Sequence, residues 1–288
     1  MVTIEPEEPG KLILSTDHIL SVLDKHADST AMLVLPGVQY YTGQLFEIEK
    51  ITAHARKLGI FVVWDLAHAA GNVELKLHDW DVDAAAWCSY KYLNSGPGAI
   101  GGMFIHERNT RPDGDGKHPS RLAGWWANRK ETRFDMKVDA AFEPREGAHG
   151  FQLSNPSVLD GTALLASLEV FHMADAKGGM EAIRRRSIRL TKFLAFAVLQ
   201  MPDEVKRLFE VISPQDIASR GAQLSIRLEP GLLEHVMEEL TRRGIFVDDR
   251  KPDVIRVAPA PLYNTFEDCY DFAVAFAEAL LQAQSLRR

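Results

Sequence analysis

With 288 residues, 46% hydrophobic and 25% charged, the chain has the composition of a soluble globular protein, long enough for one large domain and a smaller one. A net charge of -7 and a pI near 5.8 argue against a nucleic-acid or anionic-membrane surface, which would need a basic face, and favour small-molecule chemistry. Cys88 and Cys269 make no disulfide framework, no apolar run approaches the roughly 18 residues of a membrane span, and MVTIEPEEPGK has neither a signal core nor an arginine, so a cytosolic protein is expected.

After a polar lead, Asp17 to His26 reads as helix and Ala31 to Leu35 as a short strand stopped by Pro36-Gly37. QYYTGQ, Gln39 to Gln44, is a turn-rich loop with adjacent aromatics. Leu45 to Leu58 carries Leu45, Ile48, Ile51, Thr52 and Ala55 on one helical face, and Gly59 caps it. The run Ile60 to Trp64 is too short and too β-branched for a helix, so it reads as a buried strand that ends on Asp65, with His68 soon after. A second buried strand, Ala84 to Cys88, ends on Ser89-Tyr90-Lys91, and Ile100 to Ile105 is a third. Strand, helix, strand, connection, strand predicts an α/β protein with a mostly parallel sheet flanked by helices, which binds ligands at the carboxyl ends of its strands.

Residues 108–121 read as an exposed loop, and Gly124-Trp125-Trp126 and GFQLSNP, Gly150 to Pro156, as site-building loops. Long helices come after Pro156 and run through Leu199. Beyond Pro202, strands at Leu208 to Ile212, Ala222 to Leu228, Ile245 to Val247 and Val254 to Val257 alternate with helices at Leu232 to Arg243 and Phe266 to Gln284. The expected division is a large domain over residues 1–202 and a small α+β domain over residues 203–288.

Several signals have bland readings. GPGAIG, Gly96 to Gly101, matches a dinucleotide fingerprint as a string, but that motif must open a helix and here a strand comes next; the glycines instead suit close passage of backbone beside a cofactor near Lys91. Asp113-Gly114-Asp115-Gly116 lacks the closing glutamate of a calcium loop and reads as a solvated turn. His78, Asp79, Asp81 and Asp83 alternate with Trp80 and Val82, which suits an edge or capping role over a metal site. Arg184-Arg185-Arg186 is expected on the solvated face of a helix.

An aspartate at a strand end is often a turn former, and a lysine after a strand is often a surface lysine. The surroundings favour more. Asp65 and Lys91 leave neighbouring strand ends as pyridoxal-phosphate (PLP) enzymes arrange a pyridine-nitrogen partner and a Schiff-base lysine. Two tyrosines, a glycine-rich turn and an apolar strand around Lys91 would desolvate its amine and lower its pKa. His68 either flanks the cofactor ring, holds Asp65, or is a satisfied core histidine.

LPGVQYYTGQ, the long run VWDLAHAAGNVELKLHDWDVDAAAWCSYKYLNSGPG, GWW, GFQLSNP and IRVAPAPLYNTF together resemble kynureninase, a family of the aminotransferase class-V superfamily, over nearly the whole chain from about Ala31. The resemblance implies a fold-type I PLP enzyme, a homodimer, that hydrolyses the β,γ bond of L-kynurenine or 3-hydroxykynurenine to anthranilate or 3-hydroxyanthranilate and L-alanine, in tryptophan catabolism and NAD biosynthesis. It implies that Lys91 carries the cofactor, Asp65 pairs with the pyridine nitrogen, His68 lies beside the ring, and Tyr90 is a phosphate ligand and proton donor. By the same resemblance Trp125 and Asn155 contact cofactor or substrate, reaching in from a second subunit, and Arg256 holds the substrate α-carboxylate. A cysteine desulfurase or aminotransferase, a non-catalytic remnant and a small-molecule binding protein are the alternatives.

The chain departs from the family pattern in two places. Pro36 stands where many members have a phosphate-contacting serine. The amino-terminal third of family members, with its Leu-Thr phosphate pair and ring-stacking phenylalanine, has no counterpart here. Impaired turnover by the chain alone and poorer protection of Val62, Val63 and Trp64 are therefore expected.

Overall fold

The computed structural model describes residues 1–135, 141–175 and 179–287. Helix α1 (Thr16–His26) starts where the Ser15 side chain accepts the His18 N–H, with Asp17 in its first turn and Lys25 and His26 in its last, the charge order the helix dipole favours. Strand β1 (Met32–Pro36), helix α2 (Ile48–Lys57), and strands β2 (Phe61–Asp65), β3 (Ala84–Trp87) and β4 (Gly102–Ile105) complete the first layer. Their order is β1-β2-β3-β4, parallel except for β4, which runs antiparallel to β3. Cys88, expected inside β3, lies just past its end.

Helix α2 begins later than the sequence suggests. Leu45 is claimed by tertiary bonds: its N–H donates to the Ser219 carbonyl at 2.9 Å, and it bridges Val38. The far end matches expectation, since Gly59 at φ +75° donates to Arg56 and Ile60 donates to Ala55, the Schellman pattern.

Period two decides which sheet face is covered. Leu33, Leu35, Val62, Trp64 and Ala85 point to one side and are buried with Ile19, Leu23, Ile51 and Ala55 of α1 and α2. The Trp64 indole N–H donates to Thr52 Oγ1 at 2.9 Å, so its polar edge is satisfied in the core. Val62 and Trp64 are thus fully buried, contrary to the expectation of poor protection, because they face α2. The apolar exposure lies on the opposite face, at Met32 and Val34 of β1 and Met103 of β4, while Val63 is half-buried.

Helix α3 (Val158–Ala174) is capped by Ser157, and α4 (Glu181–Leu199) comes next. The expected helical run from Pro156 to Leu199 includes residues 176–178, which lie outside the described ones. The short α5 (Asp203–Lys206) precedes strands β5 (Phe209–Val211) and β6 (Leu224–Leu228), helix α6 (Leu233–Arg242), strands β7 (Asp248–Arg250) and β8 (Val254–Val257), and helix α7 (Phe266–Leu286). The second sheet is antiparallel in the order β5-β6-β8-β7. Its core joins Leu224, Ile226 and Ile255 to Leu240 of α6, Phe272 and Phe276 of α7, and Leu190, Leu194 and Val198 of α4. Helix α7 opens on a reciprocal capping box between Thr265 and Asp268.

The strand expected at Ile245 to Val247 forms at β7 instead. Gly244 at φ +76° and Ile245 are used to cap α6, with Ile245 N–H on the Leu240 carbonyl at 2.9 Å. The Arg184 to Arg186 reading also changes. Arg184 is buried and donates to the Arg220 carbonyl at 2.7 Å, and Arg186 donates to the carbonyls of Pro261 and Asn264 at 2.8 and 3.0 Å. Arg185, paired with Glu181, and Arg186 are both exposed as expected, so only Arg184 leaves the solvated face.

The acidic cluster after β2 is an ion-pair knot. Asp83 is buried and accepts from Val62 N–H, Arg56, Arg108 and Asn109 at 2.7–3.0 Å. Burial pushes its pKa up, but the bonds from Asn109, Val62 and Arg108 outweigh that and hold it below the ordinary value. Asp81 pairs with Arg56 and Arg108, and His78 stacks on His106 at 4.8 Å. Among the described residues, no group of three or more His, Cys, Asp or Glu is arranged to hold a metal. The Asp113 turn is closed by its own carboxylate, which accepts from Asp115 and Lys117 N–H.

Candidate active site between the two sheets

Strand β2 delivers Asp65 at its carboxyl end, in register with Pro36 of β1 and Ala86 of β3. One Asp65 oxygen accepts the Ala67 N–H at 2.9 Å, so the carboxylate both closes the turn that carries His68 and stays open to solvent. Beyond β3, the Ser89 hydroxyl donates to the Ile100 carbonyl at 2.6 Å and Ser95 N–H returns to the Ser89 carbonyl at 3.1 Å. Asn94 takes φ +57° and donates to the Lys91 carbonyl. These bonds form a tight loop that presents Lys91 and Tyr92.

Gly71 brings the two turns together. It adopts φ +79°, and a Cβ there would stand 2.8 Å from the Tyr92 carbonyl carbon and oxygen, so only glycine lets the loops touch. His68 then meets Tyr92 edge to face, with ring centroids 5.9 Å apart. Within GPGAIGG, Gly101 and Gly102 depart from the expectation of a cofactor-facing backbone. A Cβ on Gly102 would lie 2.6 Å from the Trp87 indole, and one on Gly101 2.7 Å from the Trp87 carbonyl, so these two serve packing between β3 and β4.

Arg256 comes from β8 of the second sheet. The two sheets are docked by the QYYTGQ loop. Ser213 and Ser225 hydroxyls donate to the carbonyls of Thr42 and Tyr41 at 2.6 Å, Gln223 donates to Tyr40 at 3.0 Å, and Gly221 N–H donates to Gly43 at 3.2 Å. Asn72 adds a second tie, donating to the His68 carbonyl at 2.8 Å and accepting Ala222 N–H at 2.9 Å. Thr42, Asn72, Ser213, Gln223 and Ser225 are all buried, and each finds a partner across the seam.

The result is a cleft of about 220 Å³ whose walls include His68, Lys91, Tyr92, Asn94, Gln223 and Arg256. It abuts a larger cleft of about 730 Å³ that shares Asp248, Arg256, Ala258 and Tyr263. Lys91 Nζ sits 5.7 Å from the Tyr90 ring, and Tyr90 itself is half-exposed. The Tyr90 hydroxyl has its pKa raised, first by the charge of Cys88 and then by a hydrogen bond with it.

The electrostatics tie the candidates together. Burial lowers His68 to about 4, the positive charges of Lys91 and Arg256 push the same way, and Asp65 opposes them. His68 Nδ1 is buried with no hydrogen-bond partner. Burial pushes the Tyr92 hydroxyl up to about 12 and pulls Arg256 below its ordinary value.

Of the residues read from sequence, the fold gathers His68, Lys91 and Arg256 into one cleft, with Asp65 close enough to act on His68 and Tyr90 beside Lys91. It does not bring Trp125 or Asn155 there. Trp125 donates its indole N–H to the Arg133 carbonyl at 2.5 Å and packs edge-on against Phe134, and Asn155 is exposed. Sequence reasoning missed Asn72, Gln223 and Asp248. Asn72 was legible as the polar end of the DLAHAAGN turn; Gln223 and Asp248 act through contacts between distant segments.

His68 predicts a pH dependence of stability. Its folded pKa, about 4, lies below its ordinary 6.5, so between those values the unfolded chain binds more protons than the folded one. Stability from this group is present above pH 6.5 and is lost as pH falls towards 4. Urea midpoints across that window should drop for the wild type, and His68→Gln should flatten the slope. An unchanged slope would mean that His68 titrates normally.

Two family models match the chain: aminotransferase class-V over residues 4–114 and kynureninase C-terminal domain over residues 183–276. Kynureninase 2 of Neurospora crassa is 58% identical over 97% of this chain, and kynureninase 1 of Chaetomium globosum is 54% identical over 99% of it. The chain spans 60% and 59% of the length of those two relatives. Among solved structures, an apo cysteine desulfurase from Thermococcus onnurineus NA1 superposes with a TM-score of 0.74 at 20% identity, covering 97% of this chain and 66% of its own. A C-DES mutant with glycine covalently linked to its PLP cofactor superposes at 0.72 and 20% identity, covering 90% and 63%. These likenesses show the fold: a fold-type I α/β architecture. With more than half of its residues identical to those of the curated kynureninases, the chain belongs to the kynureninase family, within the PLP-dependent aminotransferase class-V superfamily.

Proposed function

We propose that this chain holds PLP at the Lys91 cleft and serves the hydrolytic cleavage of L-kynurenine and 3-hydroxykynurenine to the corresponding anthranilate and L-alanine. The observation that carries this is the meeting of His68 and Lys91 from one sheet with Arg256 from the other in a single cleft, within the field of Asp65. The residues fit the cofactor. Lys91 offers a primary amine, Asp65 an open carboxylate at a strand end, and His68 a buried ring nitrogen without a partner.

When bound, PLP supplies an aldehyde for amines and a protonated ring that takes up an electron pair. Asp65 keeps the proton on the pyridine nitrogen through a charge-assisted hydrogen bond. His68, neutral at pH 7, lies against the ring without adding charge. The Lys91 amine binds the cofactor and then moves the proton at the substrate α-carbon. Arg256 would fix the α-carboxylate, and the Tyr90 hydroxyl would serve a phosphate oxygen and donate a proton to the β-carbon, which stays with alanine when the β,γ bond breaks. In this reading Trp125 and Asn155 act in the site of a second copy of the chain, and the working form is a homodimer. A cytosolic location agrees with two free thiols, and among the described residues no helix is long and apolar enough to cross a membrane. Pattern and packing support a carboxyl-terminal unit that starts near residue 203 and takes α4 into its core.

The desulfurase reading draws on the solved structures but lacks a nucleophile. Burial and the neighbouring Asp268 push the Cys269 thiol up to about 11 inside α7, and Cys88 Sγ points to the Ala67 carbonyl at 3.7 Å. The test is mass spectrometry of products after supplying saturating PLP with L-kynurenine or L-cysteine. Anthranilate with alanine from kynurenine is expected. Sulfur release from cysteine alone would support a desulfurase, and an absorbance band near ~420 nm without product from either would support a binding protein.

A further inference from the structure

We propose that Asp248 occupies Arg256 as an internal stand-in for the ligand's carboxylate, and that binding exchanges it onto Arg250. The inference rests on the reading of Arg256 as the carboxylate holder. Asp248 and Arg256 are direct cross-strand partners on β7 and β8, so the backbone itself sets the acid beside the guanidinium. Arg256 Nη1 is anchored on the Tyr40 carbonyl at 2.6 Å, and Nη2 bonds Asp248 Oδ2. Arg256 Nε is buried and has no partner.

That orphan separates a stand-in from a finished salt bridge. A carboxylate satisfies arginine best through two parallel bonds, and a buried N–H left alone is costly. Asp248 meets Nη2 and leaves Nε unmet, so an incoming carboxylate that takes both is better matched than the group it displaces. The displaced acid has a place to go. Its other oxygen already accepts from Arg250 Nη1 at 2.8 Å, and its side chain is 49% exposed while that of Arg256 is 10% exposed. Asp248 therefore has room to swing, while Arg256 is held. The exchange selects for chemistry: an anionic carboxylate can displace Asp248, whereas a neutral amide of the same shape cannot, since its NH2 faces a donor.

NMR titration of the full chain with L-kynurenine and with its α-carboxamide, following the Arg256 Nε–H resonance, tests this. Removing the competing charge in Asp248→Asn should tighten L-kynurenine by about tenfold, the scale of one charge-assisted hydrogen bond, and leave the carboxamide unchanged. Asp248→Glu should bind like the wild type, and Arg250→Gln, which takes away the acid's alternative partner, should weaken L-kynurenine alone. A residue that only supports the fold would shift both ligands together. Loss of L-kynurenine binding in Arg256→Gln with unchanged or weaker binding in Asp248→Asn would overturn the exchange while leaving the carboxylate site standing. Undiminished binding in Arg256→Gln would overturn both.

Discussion

Borohydride reduction in the presence of PLP should place a pyridoxyl label on Lys91, and Lys91→Ala should remove both the label and turnover. Lys91 is half-buried in the cleft, carried by a loop that is fixed by Ser89, Asn94 and Ser95 and pressed against Gly71. Lys57 and Lys192 lie exposed on α2 and α4, with no such walls. Loss of the proton carrier alone costs about 10²–10⁴-fold in rate, and loss of the cofactor's attachment adds to it. Peptide mapping after reduction reads the site directly. A label on Lys57 or Lys192, with Lys91→Ala still labelled, would remove the basis for the proposed chemistry.

The parts of this site that were legible in sequence are those that depend on one strand and the turn after it. Asp65, His68 and Lys91 could be placed because an apolar run of β-branched and small residues announces a strand, and the residues just past its carboxyl end then lie at the ligand edge. Strand β8 and the Gly59 cap were readable for the same local reason. The failures are contacts between distant segments. Leu45 left its helical pattern because Ser219 and Val38 offered it bonds, and a four-residue strand such as β4 carries no mark of its direction. Arg184 was misjudged although a signal existed: it shares a stripe with Ser187, Thr191 and Leu194, and that stripe is the buried side of α4. Gln223 and Asp248 could not be found, because their roles depend on sheet register and on how the second sheet meets the QYYTGQ loop.

Asp65→Asn should lower turnover on the order of 10³-fold while PLP still binds. Asparagine keeps the size of the side chain, and its oxygen can still accept the Ala67 N–H, so the turn that carries His68 should survive. The change is one of charge. A carboxylate stabilises a protonated pyridine nitrogen, and a neutral amide does not, so the ring's capacity to hold an electron pair falls while contacts to Lys91 are untouched. The same substitution removes the one charge that raises the His68 pKa, against Lys91, Arg256 and Arg250, so His68 should become still harder to protonate. The two effects can be read separately. Kinetics with L-kynurenine report the first, and NMR titration of His68 in the absence of PLP reports the second. Near-normal turnover with a lowered His68 pKa would mean that another group protonates the ring even though Asp65 lies where the fold puts it. Normal turnover with an unchanged His68 pKa would place Asp65 outside the site altogether.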